Sequence, residues 1–285
     1  MGRPSVRAVG WAAVVIVAAC SHPRPAPPAG PPATAPSADA PPDGAPPIAI
    51  ENGKAAPVCG THDTDALASF NRGVDAYDHG DADAAIAAYQ EAIARDPDFC
   101  DALDNLAVVL RRLDRLDEAI ALYERSLALA PHNQFALQNV GVAYRMAHRE
   151  ADAMRSYQRL TELSPTNPEG WFGVAQVALI AKQAHDAWTA ARRAEELYVA
   201  AGSPLVDDAR LLAGLAAIPL HDWAEVRRTL EPQHARLLGD AAANLALGEA
   251  FLQPDALDKE RARRYLARAR ELGATVPDAL WQRAQ

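Results

Sequence analysis

This chain has little cysteine, no surplus of positive charge and no apolar run long enough to cross a bilayer as a helix. Its 28 Lys and Arg against 37 Asp and Glu leave a formal charge of −9. It therefore lacks the basic footprint that neutralises phosphates, which argues against nucleic acid and acidic phospholipid surfaces as partners. Three cysteines are too few for a structural zinc site built from thiolates. No glycine-rich phosphate loop, nucleophile elbow or metal-spaced histidine pair occurs, and the histidines are scattered. The expectation is no enzyme, no cofactor and no metal.

What is present starts at the N-terminus. Arg3 and Arg7 precede an apolar stretch from Ala8 to Ala19, shorter than the roughly 20 residues a membrane span needs, so it reads as an export signal. The run ends in Val17-Ala18-Ala19-Cys20, which resembles the lipobox of bacterial lipoproteins. The resemblance implies cleavage of residues 1–19 and acylation of Cys20, anchoring the chain to a membrane through several buried methylenes of about 0.8 kcal/mol each. Ser21, where sorting in Gram-negative cells keeps lipoproteins with Asp on the inner membrane, implies an outer-membrane anchor facing the periplasm. Twelve prolines then lie between Ser21 and Pro57 with hardly a large apolar side chain. Such a composition cannot form a core, so residues 20–60 read as a lipidated, proline-rich, disordered stalk.

From Ala66 the chain repeats every 34 residues. With repeats starting at Ala66, Cys100, Gln134 and Pro168, the eighth position is Gly73, Ala107, Gly141 and Ala175, and the twentieth is Ala85, Ala119, Ala153 and Ala187. Tyr89, Tyr123 and Tyr157 share the twenty-fourth position, and Pro97, Pro131 and Pro165 follow each second helix. This pattern resembles the tetratricopeptide repeat. The fold expected for residues 61–285 is an all-α solenoid of about six helical hairpins with a short C-terminal capping helix. Four are clear (66–99, 100–133, 134–167 and 168–201) and two degenerate (about 205–240 and 241–276), with the cap at 277–285. Val199 stands where the fourth proline belongs, so that second helix should run on to Gly202-Ser203-Pro204. Pro219 should shorten the fifth first-helix.

Stacked hairpins of this kind leave their first helices lining a concave groove. The sixth position reads Asn71, Asn105 and Asn139, then breaks to Gly173. A carboxamide both donates and accepts, so three in register suit an extended peptide backbone; the alternative is that each bonds locally within its helix. The column resembles the asparagine ladder in the repeat domain of the O-linked N-acetylglucosamine transferases. Further groove candidates are Tyr77, Val108, Arg111, Phe135, Val142 and Arg145, then Phe172, Gln176 and Leu179. Arg111, Arg112 and Arg145 would suit an acidic segment. Phe172, Leu179, Ile180, Leu211 and Leu215 make either an apolar surface for an amphipathic helix or ordinary packing. The carboxylate clamp of chaperone-binding relatives requires Lys and Asn where this chain has Phe70 and Val74, so that clamp is not expected. Cys59 and Cys100 read as a disulfide pair that pins the stalk's exit, the alternative being two free thiols. The layout resembles envelope lipoproteins that serve as pilotins or recruit cell-wall enzymes. The expected role is a membrane-anchored scaffold binding extended or helical segments of envelope proteins; the alternative is a purely architectural subunit.

Overall fold

The computed structural model describes residues 50–51, 54–55 and 59–285. The leader, Cys20 and nearly all of the proposed stalk lie outside the described residues. Within the stretch read as stalk, Ile50–Glu51 pairs antiparallel with Lys54–Ala55. The chain divides into two compact units, whose described parts fall within 48–234 and 235–285.

The first unit holds five helical hairpins in succession. They are α1 (Thr64–Asp78) with α2 (Ala82–Arg95), α3 (Cys100–Arg112) with α4 (Leu116–Leu129), α5 (Gln134–Met146) with α6 (Glu150–Leu163), α7 (Pro168–Ile180) with α8 (Ala184–Ala200), and α9 (Val206–Ala217) with α10 (Trp223–Leu230). Starts are set by polar caps: Asp63, Asp81, Asn133, Asn167 and Asp222 each accept a hydrogen bond from a first-turn backbone N–H. Helices α2, α4 and α6 stop two residues before Pro97, Pro131 and Pro165, whereas α8, which meets no proline, continues to Ala200 and ends at Gly202 with φ +61°. Helix α9 ends at Ala217, just before Pro219.

Packing between hairpin partners explains the small residues. A Cβ on Gly73 would lie 2.5 Å from Tyr89 Cε1, and one on Gly141 would lie 2.7 Å from Tyr157 Cζ. These tyrosines, with Tyr123, are all but fully buried. They fill the space that the small residues vacate, and the core formed around them links the first three hairpins. Gly214 plays the same part against Leu230, where a Cβ would lie 2.3 Å from Cδ2.

The second unit contains α11 (Ala241–Ala250), a 3₁₀ turn at Pro254–Ala256, α12 (Lys259–Glu271) and α13 (Asp278–Arg283). Its Gly248 faces Leu266 Cδ2 at 2.5 Å in the same sense. The pair is two residues further apart in sequence than Gly214 and Leu230, and the 3₁₀ turn accommodates the excess. Helix α13 packs on α12, with Arg270 4.0 Å from the Trp281 ring centroid.

Candidate peptide-binding groove

Helices α3, α5, α7 and α9 touch one another in succession in addition to their hairpin partners. The first helices thus form one continuous wall, and the groove candidates are distributed along it.

At its near end Asn71 is exposed. Asn105 Nδ2 donates to the Asp101 carbonyl at 2.8 Å, and Asn139 Nδ2 to the Phe135 carbonyl at 2.9 Å. One donor of each amide is therefore used one turn back on its own helix, as in the local alternative, while Oδ1 accepts nothing from the described residues. Phe135 is 39% exposed at the wall's surface. Val108 and Val142 are half-buried against the tyrosine-centred core.

Deeper in the wall, polar atoms converge. The Arg112 guanidinium lies 4.8 Å from the Tyr77 ring centroid, and Arg111 Nη1 approaches Met146 Sδ at 4.0 Å. Tyr77 Oη and Arg111 Nε are shielded from solvent yet lack a hydrogen-bond partner among the described residues, while the fully buried Tyr123 hydroxyl bonds to Arg111. Burial pushes the Tyr77 hydroxyl up against the charges of Arg112 and Arg111, and the Tyr123 hydroxyl up against the charge and hydrogen bond of Arg111. Both phenols stay protonated, and a polar ligand on this stretch of the wall would find Tyr77 Oη and Arg111 Nε unsatisfied. Arg145, half-buried, occupies the equivalent position of the next repeat.

The far half differs from the expectation. Phe172 and Gln176 are only 8% and 6% exposed. Phe172 sets its ring edge-on to Tyr198, with centroids 6.0 Å apart, in a core shared by α7, α8 and α9. Leu211 is buried and Leu179 half-buried, leaving Ile180 at 38% exposure. Because α9 packs over this side of α7, Phe172 is a core residue, and Gln176 is buried as well. The asparagine column ends here for a packing reason: a Cβ on Gly173 would lie 2.3 Å from Tyr157 Cδ1. Phe70, where a clamp lysine would stand, is packed on Tyr89 and Phe99 at 5.7 and 5.1 Å between centroids.

Two buried clusters escaped the sequence reading. Asp104 is 2% exposed; its Oδ2 accepts from Asn133 Nδ2 at 2.7 Å, and its Oδ1 has no partner. Burial pushes this carboxyl up to about 7 despite hydrogen bonds from Ser126 and Asn133. Its fifth-position register, where neighbouring repeats carry Phe70 and Gln138, was the available signal. Glu195 of α8 is 5% exposed and receives Arg228 at 2.9 Å, Arg210 at 2.9 Å and Arg192 at 2.5 Å. Burial alone would raise its carboxyl, but the bonds from Arg228 and Arg210 and the charges of Arg228 and Arg192 prevail and hold it at about 2. No sequence spacing announces this cluster, because its members come from three helices. Cys59 and Cys100, expected as a disulfide, are two thiols in contact.

With the wall in view, the class is clear: an all-α array of helical hairpins whose first helices carry the exposed polar groups. Residues 70–134 match the family model described as "Tetratricopeptide repeat", and the fold is the tetratricopeptide solenoid. Among solved structures, the chain resembles that reported as a functional characterisation of Pseudomonas aeruginosa pilF. That match has a TM-score of 0.59 and 18% identity, covering 76% of this chain and 95% of the other. YrrB, described as a TPR protein with an unusual peptide-binding site, gives a TM-score of 0.54 at 19% identity, covering 69% and 96%. A tetratricopeptide repeat protein from Parabacteroides merdae ATCC 43184 gives 0.53 at 18% identity, covering 78% and 99%. Comparison with curated proteins finds no match. No helix among the described residues is long and apolar enough to cross a membrane.

Proposed function

We propose that this protein is a non-catalytic adaptor, held to the outer membrane by lipid on Cys20, that captures extended acidic segments of envelope proteins along α1, α3 and α5. The observation that carries this reading is that Tyr77 Oη and Arg111 Nε, shielded without partners, lie on the same wall as the free Oδ1 atoms of Asn105 and Asn139. Arg111, Arg112 and Arg145 supply the positive charge that an acidic segment needs. YrrB's peptide-binding site on a similar fold supports peptide capture. Each new hydrogen bond adds about 0.5–1.5 kcal/mol net, so micromolar affinity is expected. Assembly of a pilus, secretion or cell-wall machine is the setting that the lipobox-like Val17–Cys20 run and the proline-rich stretch suit.

The local bonds of Asn105 and Asn139 favour the second reading, an architectural subunit without peptide capture. Replacing Asn105, Arg111, Asn139 and Arg145 with alanine together separates the two. Recovery of envelope partners on the immobilised protein should be lost on the first reading and retained on the second. Anchoring is tested separately: Cys20→Ala should move the protein from the membrane fraction to the soluble fraction and abolish incorporation of labelled palmitate. Retention of the label would remove Cys20 from the account.

A further inference from the structure

The segment leading into α1 is fastened to the start of α3. The Cys59 carbonyl accepts the Asp101 N–H at 3.2 Å, and Thr61 Oγ1 donates to Asp96 Oδ2 at 2.5 Å. Asn133 Nδ2 reaches both Cys59 Sγ, at 3.5 Å, and Asp104 Oδ2. These contacts set the Cys59 thiol against Cys100, the first residue of α3. Cys59 donates to the Cys100 sulfur, and Cys100 in turn points at the Asp98 carbonyl, 3.7 Å away. Cys100 is fully buried and Cys59 only half-buried, so Cys59 is the more accessible residue of the pair. Nothing in the groove reading uses this cluster.

We propose that Cys59 and Cys100 are a redox-active dithiol that exchanges with small disulfides, Cys59 being the accessible partner, Cys100 the resolving one and Asp104 a carboxylate that restrains them. In the first step the Cys59 sulfur attacks one sulfur of glutathione disulfide; the S–S bond breaks, and one glutathione leaves with the electron pair and takes up the Cys59 proton. The Cys100 sulfur then attacks Cys59 Sγ and expels the second glutathione, which takes up the Cys100 proton. The protein loses two electrons and two protons, and the disulfide becomes two thiols. A helix N-terminus and the Cys59 hydrogen bond favour the Cys100 thiolate; the same bond and burial push the Cys59 thiol up, so Cys59 attacks as its proton is drawn towards the Cys100 sulfur. The nearby Asp101 and Asp104 carboxylates oppose thiolate formation at both sulfurs and so slow the exchange.

The test uses the full chain carrying Cys20→Ser, titrated with glutathione and glutathione disulfide at pH 8 and read by peptide mass mapping. The expected result is an intramolecular Cys59–Cys100 linkage that reverses as the glutathione ratio is raised. Cys100→Ser, close to isosteric, should trap a glutathione adduct on Cys59, and Cys59→Ser should acquire none while folded. Asp104→Asn should oxidise several-fold faster; an unchanged rate would remove Asp104 from the site. Adducts on both cysteines, linkage between molecules, a bond that glutathione cannot reopen, or no reaction until the chain is denatured would overturn the proposal.

Discussion

At the scale of single residues, Asp104 has the clearest consequence. Its folded-state carboxyl titrates near 7, above the ordinary value of about 3.9, so the folded chain binds this proton more tightly than the unfolded one. The contribution to stability is fully present below the ordinary value and is lost as pH rises through about 7. Each unit of difference corresponds to about 1.4 kcal/mol. Asp104→Asn should therefore raise stability at pH 8 by on the order of 2 kcal/mol and flatten the decline between about pH 4 and 7, measured by denaturant melts across that range. A variant that unfolds as the native chain does at pH 8 would contradict the burial argument. Glu195 has the opposite sign: its arginines hold it low, so its contribution fades only as pH falls towards about 2. Residues of this kind were poorly legible in the sequence. The periodicity that locates a helix says which face a carboxylate occupies, but not whether a preceding segment covers it.

At the scale of helices and turns, far more was legible, because the determinants are local. Small residues at the eighth position, tyrosine at the twenty-fourth and proline beyond the second helix each act within one hairpin, and the helix boundaries follow them. Gly173 is the sharpest case, with Tyr157 occupying the space of any side chain there. Gly173→Ala should cost about 1–3 kcal/mol by overpacking, read as a shift in the urea midpoint. The interhelix turns share a left-handed residue at Gly80, Asp114, His148 and Lys182, with φ of 80°, 60°, 55° and 60°. Only the first is glycine. A left-handed conformation costs an L-residue roughly 1–2 kcal/mol, partly offset by the entropy glycine loses on folding. Lys182→Gly should thus stabilise the fold by about 0.5–1 kcal/mol in the same melts, whereas destabilisation would mean that the lysine side chain contributes more than the turn strain. In the apolar half, where docking surface and ordinary packing were both open, Phe172 follows packing. Phe172 keeps the register of a groove residue, but α9 packs over it, and only the three-dimensional stack shows that.

At the scale of the whole molecule, the argument concerns what a row of first helices can do that one hairpin cannot. Asn71, Asn105 and Asn139 come from three repeats, and the unsatisfied Tyr77 and Arg111 atoms from two. A ligand that meets them all must extend across the hairpins, which favours a peptide backbone over a small molecule. The ladder's position was readable from the 34-residue period. The buried donors behind it were not, since they arise where side chains of different repeats meet. Charge sets the direction of preference: a chain that is acidic overall presents arginines along this stretch of the wall, so acidic partners gain from attraction that falls with added salt. The most direct measurement is a fluorescence titration of acidic, extended twelve-residue peptides against the full chain and its Asn105, Arg111, Asn139 and Arg145 alanine variant. The account predicts micromolar, salt-sensitive binding that the variant loses by at least about tenfold, or 1.4 kcal/mol. Equal affinity of the two proteins, or preference for basic peptides, would contradict it.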